Sequence, residues 1–253
     1  MGKIYVTGDI HGNPERLQSG TFRDGKKLTK SDIVEILGDF GLVWDYEGEN
    51  ETEKERLDWL DNQPWTTVAT LGNHENYDRI AQLPVEEHFG APTYVLRPSV
   101  FLLQSGYVYD FDGVKVWNFN GARSHDISDG ILDPEDPDFK YRLLELRMNF
   151  KQMWRIKNWS WWEQEIEQNP EVYERGLQSL ADNDWSVDYI WTHCAPVSTV
   201  ALLGFHEDDP LVKYFEKIKY KAKFKEWYFG HYHQNLCPEP KMNCLYGLIK
   251  RIV

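Results

Sequence analysis

Five short blocks of this chain set a metal-ligating side chain beside glycine or at the end of an apolar run: GDIHG at 8–12, GDFG at 38–41, GNHE at 72–75, THC at 192–194 and GHYH at 230–233. Together they offer Asp9, His11, Asp39, Asn73, His74, His193, His231 and His233. Carboxylate and imidazole donors suit first-row divalent ions, and two such ions about 3.5–4 Å apart can clamp an in-line displacement at phosphorus. Asp9 and His11 alternate by two residues, so an extended loop can turn both toward one ion, and His231 and His233 share a face in the same way. Asp39 has two oxygens with which to bridge two ions. Asn73 offers a neutral carbonyl oxygen, and His74 an imidazole that need not be a ligand. Each block alone is a weak match, but ligands from five distant blocks are hard to attribute to coincidence.

Such side chains need elements to aim them. Lys3 to Thr7 reads as a buried strand ending at a glycine turn, and Asn13 to Gln18 can start a helix with Asn13 as cap and Pro14 in the first turn. Ile33 to Leu37 and Thr66 to Leu71 are further apolar strands that end at Gly38-Asp39 and Gly72-Asn73. Val187 to Trp191 leads into His193, and Glu226 to Phe229 into His231. Ligands therefore sit on loops at strand ends, where open α/β sheets build their sites. The acidic stretch Glu47 to Asn62, with Leu57, Trp59 and Leu60, is expected to be a helix with one solvated face. Val100 to Leu103, Tyr107 to Phe111 and Val114 to Phe119 are expected to be successive antiparallel strands of a second sheet, with Asp112-Gly113 as a hairpin turn. From Arg123 to Asp184 the rhythm breaks: an acidic, Pro-containing loop precedes an expected long helical stretch carrying Trp154, Trp159, Trp161 and Trp162. The reading is one domain over 1–253, with a site-covering insertion at about 123–185. Most of those tryptophans are assigned to packing rather than to chemistry.

Composition narrows the classes. With 41% hydrophobic residues, 11 Trp, 14 Tyr and 12 Phe, the chain has ample material for a core, which argues against disorder. A net charge of −13 repels polyanions at long range, which disfavours bulk duplex nucleic acid and anionic membrane as partners. No apolar run approaches the ~18 residues of a membrane span, and no secretory leader precedes KIYVT. Cys194, Cys237 and Cys244 form no closely spaced zinc pattern or disulfide framework, so a reducing, cytoplasmic setting is expected. Cys194 is not read as a nucleophile, because no dedicated base accompanies it. His88, His125 and His206 match no block and are read as turn residues or satisfied polar groups. Asp32 and Asp78 are assigned to solvent or to capping.

The order D-x-H, GD, GNHE, H and GHxH, from Asp9 to His233, resembles the calcineurin-like metallophosphoesterase superfamily. The resemblance implies an α/β fold, a four-layer α/β/β/α sandwich with two mixed sheets and a dinuclear centre at one sheet edge. It assigns Asp9, His11, Asp39 and His233 to the first metal, Asp39, Asn73, His193 and His231 to the second, and an acid role to His74. NGARSHD at 120–126, followed by Trp161-Trp162-Glu163, is similar to the GGxxSxD and WW-E signals of a bacterial and phage branch. The protein phosphatase branch carries GDxxDRG in its second block, whereas Leu42 stands at the second Asp position here and no Arg-Gly follows. This departure argues against a Ser/Thr protein phosphatase. Asp45 and Asp78 are both candidates to orient His74.

The expected function is dinuclear-metal-dependent hydrolysis of a phosphomonoester or phosphodiester, the substrate being a small phosphoester or nucleotide. Hydroxide held between the ions would attack phosphorus in line, Asn73 and Arg123 would help bind the phosphoryl group, and His74 would protonate the leaving oxygen. Mn²⁺, Fe, Zn²⁺, Co²⁺ and Ni²⁺ all accept this donor set. The alternative from another class is a non-catalytic scaffold of the same fold, which would be expected to have lost ligands.

Overall fold

A computed structural model describes residues Gly2–Val253. In chain order the elements are β1 (Ile4–Thr7), β2 (Ile33–Leu37), α1 (Glu51–Asp61), β3 (Thr66–Thr70), α2 (Tyr77–Ile80), β4 (Val85–His88), β5 (Ala91–Arg97), β6 (Val100–Leu103), β7 (Tyr107–Phe111) and β8 (Val114–Phe119). They continue as β9 (Gly130–Leu132), α3 (Phe139–Met148), β10 (Trp154–Ile156), α4 (Pro170–Ala181), β11 (Tyr189–Thr192), α5 (Val197–Leu202), α6 (Pro210–Lys221), β12 (Glu226–Phe229), β13 (Leu236–Glu239), β14 (Met242–Cys244) and β15 (Ile249–Arg251). A seven-stranded sheet runs β15-β1-β2-β3-β6-β5-β4, and a six-stranded sheet runs β13-β14-β12-β11-β8-β7. Both are mixed: β1, β2, β3 and β6 are parallel to one another, as are β8, β11, β12 and β14, with antiparallel strands at the edges.

Pleating sorts the side chains into three cores, because successive strand residues point to opposite faces. Ile4, Val6, Ile33, Leu37 and Val68 of the first sheet meet Val116, Tyr189, Trp191 and Tyr228 of the second. Tyr5, Val34, Ile36 and Ala69 face the other way, onto Leu57 and Leu60 of α1. Trp117, Phe119, Ile190, Trp227 and Phe229 face away from the first sheet, onto Leu180 of α4, Val200 of α5 and Leu211, Phe215 and Ile218 of α6. The layers are thus helix, sheet, sheet, helix, the expected fold class.

Three expectations change in detail. Val100–Leu103 lies parallel to β3 in the first sheet, so only β7 and β8 of the expected trio form a hairpin in the second. The strands β4 and β5 also extend the first sheet. The acidic helix begins at Glu51 rather than Glu47, because Asn50 and Glu53 form a reciprocal capping box. The turn after Asn13 is a single 3₁₀ turn over Pro14–Leu17.

The long helix expected within 123–184 is absent. That segment folds instead into α3, a two-stranded parallel pair of β9 and β10, a 3₁₀ turn at Glu163–Glu165 and α4. Trp154 is on β10, while Trp159, Trp161 and Trp162 lie outside the helices. Clustered aromatics do not fix the backbone, nor are these four equally buried: Trp159 is exposed, Trp154 and Trp161 are half-buried, and Trp162 in its loop is fully buried, its ring 5.4 Å from that of Trp44 and its Nε1–H donating to Asp78 Oδ2 at 3.0 Å. Among the described residues no helix is long and apolar enough to cross a membrane.

Candidate metal centre

The carboxyl ends of β1, β2 and β3 open side by side, and those of β11 and β12 open opposite them. Side chains and backbone of the loops stitch the two sheets together. His193 Nδ1 bonds the carbonyl of Leu37 at 2.8 Å, and the amide of His231 donates to Asp9 Oδ1 at 3.0 Å. The amide of His74 donates to Asp39 Oδ1 at 2.9 Å, and that of His11 to the Asp39 carbonyl at 2.8 Å. Gly72 and Gly230 are required by space, since a Cβ at either would collide with Asp39 Oδ1 or Asp9 Oδ1.

All eight block residues arrive at one place. Asp9, His11 and His233 present ligand atoms within 4.8 Å of one another, and so do Asp39, His193 and His231; these are clusters able to hold metal ions. His11 Nε2 and His233 Nε2 are 3.0 Å apart, with Asp9 Oδ2 3.2 Å from the latter. Asp39 links the groups: Oδ1 is 3.1 Å from His193 Nε2 and Oδ2 is 3.8 Å from His11 Nδ1. Asn73 Oδ1 lies 3.2 Å from His193 Nε2. His11, Asp39, His231 and His233 all hold positive φ, at 44°, 43°, 66° and 50°. Non-glycine residues in that region cost about 1–3 kcal/mol each and tend to cluster at working sites.

The electrostatics suit cations. Asp9 and Asp39 are buried carboxylates. Burial alone would push Asp39 up, but His193 against it, with His74 and His11 nearby, holds it well below the usual carboxylate range. Burial disfavours charge on His193, yet Asp39 and Asp9 outweigh it and push the imidazole up to about 9. Burial, then the facing His193 and His125, push His231 well below its ordinary value. Its Nε2 is buried without a hydrogen-bond partner. A neutral imidazole with a free ring nitrogen in a carboxylate-lined recess is the form in which histidine ligates metal. The oxygen and nitrogen donor set fits divalent first-row ions.

A cavity of about 250 Å³ opens over this cluster, lined by Asp39, Asn73, His74, His125, Asp126, Phe205, His231, Tyr232 and His233. His74 packs against Trp44 at 5.4 Å between ring centroids. Neither candidate carboxylate orients its ring: Asp45 accepts from the Glu47 amide and Asn50, and Asp78 from Trp162 and Gln164. Arg123 is exposed and lies outside this lining. A different arginine stands behind the wall: Arg155 of β10, itself outside the lining, pairs with the lining residue Asp126, and its charge, after burial and against the pull of Asp39, helps to lower the pKa of His74.

His125, expected to be a turn residue or a satisfied polar group, is a hydrogen-bonded polar group that also forms part of the wall. Its Nε2 is 2.9 Å from Glu207 Oε1, and its ring is 4.3 Å from that of His231. The NGARSHD resemblance was the available signal for it; Arg155 and Glu207 carry none. Cys194, beside His193, is fully buried, which pushes its thiol well up, the opposite of what a thiolate nucleophile requires.

A two-sheet α/β sandwich with aspartate and histidine converging from the strand ends defines a protein of the metal-binding phosphoesterase class. The calcineurin-like phosphoesterase family model matches residues 2–235, and the chain belongs to that family. A search of curated proteins returns no match.

Proposed function

We propose that this protein hydrolyses phosphoesters at a centre of two divalent ions, one held by Asp9, His11, Asp39 and His233 and the other by Asp39, Asn73, His193 and His231. The observation that carries the reading is the two ligand groups meeting at Asp39, with the buried His231 Nε2 unpartnered beside them. When bound, such ions generate a nucleophile from water near neutral pH and offset charge on the phosphoryl oxygens. The chain's own residues do the rest. Asn73 and Arg155 orient the phosphoryl group, Arg155 standing where sequence suggested Arg123. His74, fixed by its amide bond to Asp39 and its contact with Trp44, is the acid that protonates the departing oxygen. Burial lowers the His74 pKa against the pull of Asp39, with Arg155 and His193 adding to it; this strengthens the acid but shrinks its protonated fraction, so the acid role rests on the placement of the ring.

A cavity of about 250 Å³ supports a small phosphoester or nucleotide over a folded protein or bulk duplex nucleic acid, in keeping with the net charge of −13. The chain is read as one phosphoesterase domain, with 123–185 as an insertion that returns to the site through Arg155 and Trp162. Three free cysteines, two of them buried, accord with a cytoplasmic setting. Mn²⁺ heads the ions to be tried.

The test is hydrolysis of p-nitrophenyl phosphate and its bis-aryl diester by protein stripped of metal and reloaded with Mn²⁺, Zn²⁺, Co²⁺, Ni²⁺ or Fe²⁺. Metal-dependent turnover of at least one substrate, abolished in Asp39→Asn, is expected. No turnover with any ion, in protein that binds two ions per chain, would overturn the catalytic reading in favour of a scaffold. A panel of small phosphoesters and nucleotides then assigns the substrate.

A further inference from the structure

The segment 123–185 reaches into the centre at a point that ligation alone does not explain. After β8 the chain is strapped to the GNHE loop: the amide of Gly121 donates to the Leu71 carbonyl at 2.8 Å, and the amide of Leu71 to Asn120 Oδ1 at 3.0 Å. This places Ser124 beside Asn73, whose Nδ2–H donates to Ser124 Oγ at 3.2 Å. Ser124 is in turn gripped by Glu165 of the 3₁₀ turn after Trp162, through its amide to Oε1 at 2.9 Å and its Oγ to Oε2 at 2.5 Å. Ser124 and Glu165 are only 5% and 3% exposed, so water does not replace either partner. Asn73 Oδ1 is left facing His193.

We propose that Glu165 and Ser124 are positioning residues that set which end of the Asn73 amide faces the metal centre. This rests on the ligand role given to Asn73 above. An amide side chain has an accepting oxygen and a donating nitrogen of almost equal size, so shape alone does not choose between them. Both Glu165 oxygens face Ser124 donors, the backbone N–H at Oε1 and the hydroxyl at Oε2, an arrangement that favours the carboxylate, and a carboxylate only accepts. Facing Glu165, the Ser124 hydroxyl must donate its single proton to Oε2, so toward Asn73 it can only accept. The Asn73 NH₂ therefore turns to Ser124 and the carbonyl oxygen turns to the centre, the one orientation in which Asn73 can ligate a cation. The direction of each hydrogen bond follows from the last, and it begins at a residue 92 positions away from Asn73 in sequence.

Glu165→Gln separates this role from simple packing. It has nearly the same shape, but with its NH₂ toward Ser124 Oγ the new amide donates where the relay needs an acceptor, and the orientation that keeps the relay sets that NH₂ against the Ser124 N–H, donor against donor. Partners that orient ligands typically change metal affinity 10–100-fold when replaced. Mn²⁺ binding to the full chain would be measured by titration calorimetry, with folding followed by thermal melts in EDTA. Expected is a loss of at least tenfold in affinity at one of two sites in Glu165→Gln and in Ser124→Ala, with none in Glu163→Gln, an exposed neighbour on the same turn. In an Asn73→Ala background, Glu165→Gln should cost no further affinity.

Unchanged affinity in folded Glu165→Gln would overturn the proposal, as would an equal loss with Asn73 already absent. Should Glu165→Gln fail to fold, Ser124→Ala alone and in the Asn73→Ala background decides by the same two criteria. The readout is binding, so a chain that binds two Mn²⁺ ions and hydrolyses nothing would sink the enzymatic reading while leaving this one to stand or fall separately. Where Mn²⁺ does not bind, the same titrations are run with Zn²⁺, Co²⁺, Ni²⁺ and Fe²⁺, and a wild-type chain that binds none of the five ions would overturn both.

Discussion

His11 Nε2 and His233 Nε2 face each other at 3.0 Å across 222 residues of sequence, with Asp9 Oδ2 beside them. Two imidazole nitrogens so close need either the ring N–H of one tautomer or a cation between them, and the carboxylate beside them favours the cation. Replacing His233 by Ala should therefore leave one ion per chain where the wild type binds two. Affinity at the lost site should fall by more than the roughly 10–100-fold typical of removing a ligand's supporting partner. His233 is half exposed, so the melting temperature in EDTA should barely move. Elemental analysis after dialysis checks the count; two retained ions would remove His233 from the site.

His74 makes a different prediction because it is placed as an acid rather than a ligand. His74→Asn should keep both ions and slow hydrolysis of an alkyl phosphate by about 10²–10⁴, the usual worth of a positioned acid. An aryl phosphate with a good leaving group needs little protonation and should slow far less. Rates for the two substrates in parallel decide it, and equal slowing would remove the acid role.

Glu35 lies between the sheets, fully buried, with Oε1 accepting from the Thr70 amide and hydroxyl and Oε2 unpartnered. Burial raises its pKa well above the ordinary 4.5, against the lowering effect of Thr70. An acid whose folded pKa exceeds its unfolded value binds more protons when folded. Stability is therefore highest below the unfolded value and falls as pH rises from about 4.5 toward the folded one, by at most about 1.4 kcal/mol per pH unit. Glu35→Gln removes the titrating group, so it should flatten that limb and leave the variant relatively more stable at pH 8 than at pH 5. Urea melts at the two pH values measure it, and parallel wild-type and variant profiles would refute the assignment.

The parts legible in the sequence were those whose signal is local. Asp9, Asp39, Asn73, His193 and His231 follow strands short and apolar enough to read, and the glycines beside them mark backbone that must pass close to a side chain. The left-handed φ at His11, Asp39, His231 and His233 has no such marker, because tertiary bonds such as His231 N to Asp9 impose it. Sheet membership was misread at Val100–Leu103 because a strand's own pattern does not name its neighbour: the chain returns to β3 through β4 and β5. The tryptophan-rich segment was misread for a related reason. Trp162 is buried by contact with Trp44 and Asp78, residues 118 and 84 positions earlier, and helical spacing had nothing to do with it.

Arg155 and Arg123 yield opposed predictions for substrate binding. Arg155 comes from β10, a strand with no ligand block, yet it pairs with Asp126 on the cavity wall and its charge reaches His74. Arg123 lies within the NGARSHD block itself but is exposed and forms no ion pair with the lining among the described residues. Asp126 holds the Arg155 guanidinium in place while leaving it further N–H donors for a phosphoryl oxygen. A hydrogen bond to a charged group is worth about 1.5–3 kcal/mol, so Arg155→Met should lower kcat/KM by roughly 10–100-fold, mostly through KM if the contact is equal in ground and transition states. Arg123→Met should change it less than about twofold, within the scatter of surface substitutions. Steady-state kinetics of both variants under one metal condition tests the pair, and the reverse order of effects would return the anchoring role to Arg123.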